Sequence, residues 1–170
     1  TDLLAQMREN RRSVDVVVDV KQIPEFNELS YDPAEGLTIG AAVSCLRICD
    51  APTIARQYPG LVDAVRLIGG IQIQGRATLG GNLGSASPIG DLLPVLLALD
   101  ASVHCQGPRG ARTLPIDGFF EGYRRTARAD DELITAVTLP RDPARLDTAC
   151  KVAKRQSDDI SIVVAAFALR

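Results

Sequence analysis

The sequence predicts an α+β fold with an α/β beginning, in a main domain at residues 1–140 followed by the start of a second domain at 141–170. With 170 residues, 46% of them hydrophobic, the chain is long enough to bury a sizeable core. Helical and strand patterns alternate, and turn residues at 33–36 and 107–110 each separate two strand patterns. A stretch rich in proline and charge at 140–147 indicates the domain boundary.

The first elements give the chain its predicted α/β beginning. Residues 2–9 have helical spacing, and they lead into the valine-rich run 14–20, which predicts a buried strand. A hairpin is predicted from strands at 29–32 and 37–42. Three short helices follow, at 45–49 with Ser44 as its cap, at 52–58 and at 61–68.

After the third of these helices, the sequence predicts a glycine-rich loop at 77–91 and an apolar helix at 91–99, with Pro94 in its first turn. A second hairpin, a helical aromatic cluster and two further strands are predicted at 101–106 with 111–114, at 116–123, at 132–139 and at 148–154. The apolar run 160–169 follows a charged turn that predicts a helix cap.

Composition restricts the class of partner. Lys and Arg total 19 against 21 Asp and Glu, so the net charge of −2 gives no reason to expect a nucleic acid or an anionic membrane as partner. No apolar run is long enough to span a bilayer, and the first residues do not form a signal peptide pattern. We expect a cytoplasmic protein without membrane insertion.

The cysteines and the histidine do not form a metal-site pattern. Cys45, Cys49, Cys105 and Cys150 include no Cys-x-x-Cys pair, and His104 is the only histidine. Reduced thiols that pack as small apolar groups are the favoured interpretation. We therefore expect no metal on this chain and assign His104 no role.

The glycine-rich segment 77–91 carries the clearest chemical signal in the sequence. Its glycines leave backbone N–H groups unshielded, and Thr78, Asn82, Ser85 and Ser87 add short hydrogen-bonding side chains. No Lys or Arg lies between Arg76 and Arg109, so a phosphate bound here would be held mainly by main-chain N–H groups and hydroxyls. The segment thus predicts a binding loop for a cofactor that contains a diphosphate.

The order of residues in this segment resembles a known family. The run Ala-Thr-Leu-Gly-Gly-Asn-Leu at 77–83, followed by Ser87-Pro88, Asp91 and Pro94, is similar to the FAD-binding domain of molybdenum hydroxylases. That family includes xanthine dehydrogenase and the medium subunit of aerobic carbon monoxide dehydrogenase. Three further stretches agree with it in order and spacing, at 1–4, 119–140 and 151–160.

The resemblance covers essentially the whole chain and implies a two-lobed FAD-binding domain of the PCMH type. Such a domain has a small α/β lobe and a mixed or antiparallel sheet with helices. The resemblance further implies that the first strand and most of the first flavin loop precede Thr1, so that the domain is N-terminally truncated. Residues 141–170 would begin a C-terminal α+β domain, also truncated.

Site residues also follow from the resemblance. In the family, the FAD diphosphate lies between two glycine-containing loops, and the first of them is represented here by Thr1 and Asp2. Ser87 and Asp91 are implied to reach sugar or ribityl hydroxyls. The second loop is implied to wrap the diphosphate and ribityl with Thr78, Leu79, Gly80, Gly81 and Asn82. From the residues alone, Asp91 could instead cap the following helix, and the glycines could form only a tight turn.

Two residues match family positions near the isoalloxazine. Ile134 is implied to make an apolar contact and Lys151 to place a cation near the flavin, which would raise its potential. The spacing alone favours a core residue and a solvated strand residue instead. The charged turn with Arg155, Asp158 and Asp159 is implied to lie where NAD docks in dehydrogenase members.

The resemblance implies an electron-transfer role with FAD and no catalytic residue on this chain. A large molybdopterin-binding subunit and a small 2Fe-2S subunit would be the partners, and NAD, oxygen or a quinone the acceptor. Two alternatives remain open. One is a self-contained flavin oxidoreductase of the same fold, such as an alcohol oxidase or the cell-wall sugar-nucleotide reductase. The other is a non-redox scaffold that has lost FAD.

Overall fold

A five-stranded antiparallel sheet forms the centre of the computed structural model, which describes residues 2–169. Thr1, predicted to contact FAD, lies outside the described residues. The strands run in the order β1-β2-β7-β3-β4. Their bounds are Leu29–Asp32 for β1, Gly36–Gly40 for β2, Ser102–Gly107 for β3, Gly110–Pro115 for β4 and Leu133–Pro140 for β7.

One face of this sheet carries the core. Leu37 lies opposite Leu139 and Val103 opposite Val137 in the antiparallel ladders, and all four side chains are buried. Alternation along a strand places every second side chain on the same face, so these positions form a continuous apolar surface. Helices cover that surface.

Seven short helices form among residues 2–169, and most of them bury side chains in the core. Apolar residues at helical spacing give a helix one buried side. In α4 (Pro59–Arg66), this buried side includes Leu61, Val62 and Val65. The helices are α1 (Asp2–Arg8), α2 (Cys45–Cys49), α3 (Pro52–Gln57), α4 (Pro59–Arg66), α5 (Ile71–Gln74), α6 (Leu79–Ser85) and α7 (Leu93–Ala98). Short 3₁₀ helices lie at Val20–Gln22, Pro24–Asn27 and Ile116–Gly118.

Two hairpins lie outside the main sheet. Strands β5 (Phe120–Gly122) and β6 (Arg125–Thr126) form a small one, and β8 (Leu146–Val152) pairs with β9 (Val163–Leu169) in a longer one. The β8–β9 hairpin packs against α4 and α7. Residues beyond the predicted boundary at 140 therefore contact the helical layer of the preceding residues.

Most predicted elements are confirmed. Both hairpins of the main sheet form, Ser44 caps α2 by accepting a hydrogen bond from the Arg47 N–H at 3.2 Å, and Pro94 lies in the first turn of α7. Antiparallel pairing confirms the expected α+β class. No described helix is both long enough and apolar enough to cross a membrane.

Three predicted strands or helices are wrong. The run 14–20 is not a buried strand, and Val16 is 77% exposed and Val18 75% exposed. Within residues 2–169 no strand pairs with this run, and valine favours β structure only where a neighbouring strand packs against it. Residues 116–123 form a 3₁₀ turn and β5 rather than a helix, although Phe119 is fully buried as expected of a core residue. Residues 163–169 of the apolar run 160–169 form β9 rather than a helix.

Candidate functional site

A cleft of about 700 Å³ runs along one side of α6, and this size suits a cofactor. Its walls come from α1, the Val20–Gln22 turn, residues 73–78, residues 87–90 and Arg124. The predicted site residues that line it are Asp2, Thr78, Gly81, Asn82 and Ser87. The fold thus brings the end of the first predicted flavin loop to the second one.

The second predicted loop is in large part a helix. Thr78 is the N-cap of α6, its Oγ1 accepting from the Gly81 N–H at 3.0 Å, and Ala86 ends the helix with a φ of 42°. Glycine in a helix interior costs about 1 kcal/mol relative to alanine, which is why the sequence favours a loop here. Tertiary packing overcomes that cost, since Leu79 and Leu83 are fully buried in the core.

Gly80 has a structural role that its neighbour lacks. A Cβ at Gly80 would lie 2.5 Å from the Cβ of Ala41 and 2.8 Å from the Ala41 carbonyl oxygen. Only glycine lets the helix approach the chain after β2 this closely. At Gly81 a Cβ would meet only Thr78 Oγ1, at 3.0 Å, and this glycine faces the cleft.

The first N–H groups of α6 are already engaged. The Leu79 N–H donates to the Val43 carbonyl at 3.3 Å and the Gly80 N–H to the Ala41 carbonyl at 3.0 Å, while the Gly81 N–H is taken by its Thr78 cap. The expectation that glycine leaves these N–H groups unshielded is therefore wrong. Leu79 and Gly80 are buried in the core, and their contact with the cofactor stays a prediction.

Side chains on the cleft side of α6 can instead bind a cofactor. The Oδ1 atom of Asn82 is buried and has no hydrogen-bond partner in the described structure. Burying an acceptor without a partner costs about 1–3 kcal/mol, so a ligand hydroxyl or N–H would relieve that cost. Thr78 and Ser87 add hydroxyl groups nearby. These residues fit a flavin nucleotide.

Asp91 and Lys151 bind each other. The Lys151 ammonium lies 2.7 Å from Asp91 Oδ2 and 2.9 Å from the Leu67 carbonyl, and the two side chains are only 6% and 10% exposed. Lys151 is therefore not a solvated strand residue. Asp91 does not cap the next helix, because the N-cap of α7 is Leu92 and no side chain caps it. The pair joins the end of the glycine-rich segment to β8.

Neither member of this pair lines the main cleft. Lys151 lies instead at a second cavity of about 400 Å³, bounded by Leu67 and residues 152–159. Ile134 is half-buried against the core, and its Cδ1 would lie 3.7 Å from a Cβ at Gly84, a cleft residue. The implied contacts of Asp91, Ile134 and Lys151 with the flavin stay predictions.

Four basic side chains at the cleft were missed by sequence reasoning: Arg12, Lys21, Arg76 and Arg124. They come from three separate parts of the sequence, and all four lie outside the glycine-rich segment 77–91. The prediction that main chain and hydroxyls would mainly hold a phosphate overlooks these cations. The helical spacing at 2–9 gave a partial signal for one of these cations, because Arg12 closely follows that helix in the sequence.

The surroundings of His104 and Cys45 are defined by burial and local hydrogen bonds. The two ring nitrogens of His104 each lie 3.0 Å from a threonine hydroxyl, of Thr113 and Thr138, and burial lowers its pKa. Burial raises the pKa of the Cys45 thiol to about 11, so it stays protonated. Within residues 2–169, no group of three or more His, Cys, Asp or Glu side chains could hold a metal ion.

Comparisons with known proteins agree with this geometry. The sequence pattern that defines the FAD binding domain in molybdopterin dehydrogenase matches residues 1–142. The chain is 34% identical over 171 residues to the nicotinate hydroxylase of Emericella nidulans, covering 91% of this chain and 13% of that protein. It is also 34% identical over 174 residues to the nicotinate dehydrogenase FAD-subunit of Eubacterium barkeri, covering 100% of this chain and 58% of that subunit.

The fold is also that of solved relatives. A chain of the carbon monoxide dehydrogenase from Hydrogenophaga pseudoflava matches with a TM-score of 0.93 and 26% identity, covering 99% of this chain and 58% of that chain. Fold and cleft together define a flavin-binding domain of the PCMH type. The chain belongs to the FAD-binding domain family of the molybdopterin dehydrogenases. The expected family, fold and cofactor are confirmed.

Proposed function

We propose that this chain is the FAD-binding part of an electron-transfer component in a molybdopterin-dependent hydroxylase or dehydrogenase. The observation that carries the proposal is the cleft along α6, where Asp2, Thr78 and Asn82 converge and where Asn82 presents a buried acceptor without a partner. Bound there, FAD would accept electrons from one centre and pass them to another. Membership of the FAD-binding domain family supports the same proposal.

The residues of this chain would bind and position the flavin rather than react with substrate. Thr78, Asn82 and Ser87 would hydrogen-bond the nucleotide, and the bare Cα of Gly81 would let it approach α6 closely. The chain spans only 13% and 58% of the two relatives described above, so substrate oxidation would belong to other parts of the assembly.

The partners we propose are a large molybdopterin-binding subunit and a small 2Fe-2S subunit. NAD, oxygen or a quinone would be the final acceptor, and NAD would dock by the cavity at 152–159. All four cysteines are free thiols, which fits a reducing compartment such as the cytoplasm.

The test is the flavin content of the native protein. Bound flavin absorbs at about 450 nm. Gly81→Val should remove this absorbance without unfolding the protein, because the added side chain would occupy the cleft. Gly118→Val is the matched control: a Cβ there meets nothing within 4 Å and lies outside the cleft, so flavin should be retained. A colourless native protein that takes up no added FAD would defeat the proposal.

A further inference from the structure

We infer that a second cavity, beside the cleft along α6, is a binding site for a phosphate monoester. The cavity has a volume of about 440 Å³ and is bounded by Gly84, Glu121 and residues 124–130. Three of these residues are arginines, Arg124, Arg125 and Arg128. The inference goes beyond the proposed function, because it concerns a ligand other than the flavin.

The chemistry of the cavity walls matches a phosphate group. A guanidinium presents its N–H donors as a planar fork that fits two phosphate oxygens at once. A phosphate monoester carries nearly two negative charges at neutral pH, which several arginines can share. The Thr126 hydroxyl adds a further donor. A volume of about 440 Å³ is that of a small-molecule site, so the phosphate would belong to a larger ligand.

The charge balance of the cavity also favours an anion. Three guanidinium groups face the two carboxylates of Glu121 and Asp130, both of which are exposed. Glu121 lies 3.8 Å from Arg125, and the Arg125 side chain is 76% exposed. Because exposed pairs of this kind are weak, a phosphate group can displace the carboxylate from Arg125.

Arg128 is held in place by the turn that carries it. Its Nη1 donates to the carbonyls of Ala129 and Glu132, both at 2.6 Å, and its side chain is half-buried. Both bonds use the same nitrogen, and a guanidinium has five N–H donors, so donors remain for a ligand. A side chain that is already ordered loses less conformational entropy on binding.

A buried carboxylate fixes the backbone of the same turn. Glu132, which is 6% exposed, accepts from the Ala129 N–H at 2.8 Å and from two nitrogens of Arg112 at 2.7 and 2.8 Å. Arg112 also donates to the Ala127 carbonyl at 2.6 Å. The backbone on both sides of Arg128 is therefore anchored, as a preorganised binding site requires.

Gly84 connects this cavity to the cleft along α6, since it lines both. A Cβ at Gly84 would contact Ile134 Cδ1 at 3.7 Å, which is an ordinary packing distance. Packing therefore does not require glycine here, although glycine destabilises a helix interior relative to alanine. The bare Cα keeps the two spaces in contact, so a ligand bound by the arginines would lie next to the cleft.

The experiment is isothermal titration calorimetry of the native protein, with its cofactor bound, using ribose 5-phosphate as the probe. One saturable site per chain is expected, with weaker binding of inorganic phosphate and no binding of ribose. Arg128→Gln should weaken binding roughly tenfold, as expected for loss of one charge-assisted contact. Arg125→Gln should also weaken it, and because Arg125 is exposed, this variant tests the site without disturbing the turn.

Arg56→Gln is the matched control, because Arg56 is exposed in α3 and lies outside the cavity. Affinities of the Arg125 and Arg128 variants equal to that of Arg56→Gln would overturn the inference, as would a native protein without saturable binding. Equal affinity for inorganic phosphate would overturn the assignment to a monoester.

A second titration separates this cavity from the cofactor site. Binding of ribose 5-phosphate that occurs only in the deflavinated protein, and that added FAD abolishes, would overturn the inference, because the cavity would then belong to the flavin nucleotide. The flavin content of the native protein, which tests the proposed function, is measured independently of these outcomes.

Discussion

Cations are used in opposite ways in the cleft along α6 and in the interface between the β8–β9 hairpin and the helices. In the interface, Lys151 is 6% exposed and bonded to Asp91, and Arg145 is 2% exposed, beside Asp147 and over the ring of Tyr58. In the cleft, Lys21 and Arg76 are exposed, and the Lys21 ammonium donates to the Arg76 carbonyl rather than lying buried against a carboxylate.

The difference separates buried charges that hold the structure together from exposed charges at a concave surface. A buried cation must be paired within the protein, because an isolated one would lose its solvation without compensation. An exposed cation in a concave site keeps its water until an anion displaces it. Partner and burial, rather than residue type, thus distinguish the two uses.

The largest effect is expected from breaking the Lys151–Asp91 pair. Lys151→Met would leave the Asp91 carboxylate and the Leu67 carbonyl without their buried donor. Removing one partner of a buried pair costs about 3–5 kcal/mol, so the free energy of unfolding should fall by that amount in urea denaturation.

The double variant Lys151→Met with Asp91→Leu is the control, because it removes both charges. Replacing both members of such a pair is often nearly neutral, so most of the lost stability should return. A loss below about 1 kcal/mol in the single variant would show that the pair behaves like an exposed one.

A smaller effect on the free energy of unfolding is expected from substitutions on the two faces of α6. Gly80 faces the core, whereas Gly81 faces the cleft. Gly80→Ala would force a methyl group to 2.5 Å from Ala41 Cβ, and such overpacking costs about 1–3 kcal/mol. Gly81→Ala faces the cleft and should change the free energy of unfolding by less than about 1 kcal/mol. Urea denaturation of both variants checks this, and equal losses would contradict the assignment of the two faces.

The sequence predicted the sheet better than the site. The hairpins β1–β2 and β3–β4 follow from alternation and turn residues, which are local signals. The helix at 79–85 was missed because its stability comes from contacts with Ala41 and Val43, which are distant in sequence. Thr78, Asn82 and Ser87, which the resemblance to a family implies as cofactor contacts, line the cleft, and their contacts with FAD stay predictions.

The contacts that could not be predicted from the sequence share one physical cause. The pairing of Lys151 with Asp91 joins residues 60 positions apart, and the bond of Lys21 to Arg76 spans 55 positions. A sequence pattern predicts that a charged residue is solvated unless an oppositely charged residue lies close to it in the sequence. Three-dimensional proximity decides which cations are paired in the interior and which stay exposed.

The smallest effect is expected from a partly exposed pair, Arg112 with Glu132, and it depends on pH. Two hydrogen bonds from Arg112, at 2.7 and 2.8 Å, and one from the Ala129 N–H lower the pKa of Glu132 from 4.5 to about 2. A lowered pKa in the folded state contributes stability that is complete above pH 4.5 and is lost as the pH falls toward 2.

Glu132→Gln should therefore lower the Tm at neutral pH, and its difference in Tm from the native protein should shrink between about pH 4.5 and pH 2.5. Asp131→Asn, at an exposed pair with Arg109, is the control and should show a smaller difference throughout. A difference for Glu132→Gln that does not change with pH would show that packing, rather than the ionised pair, carries the contribution.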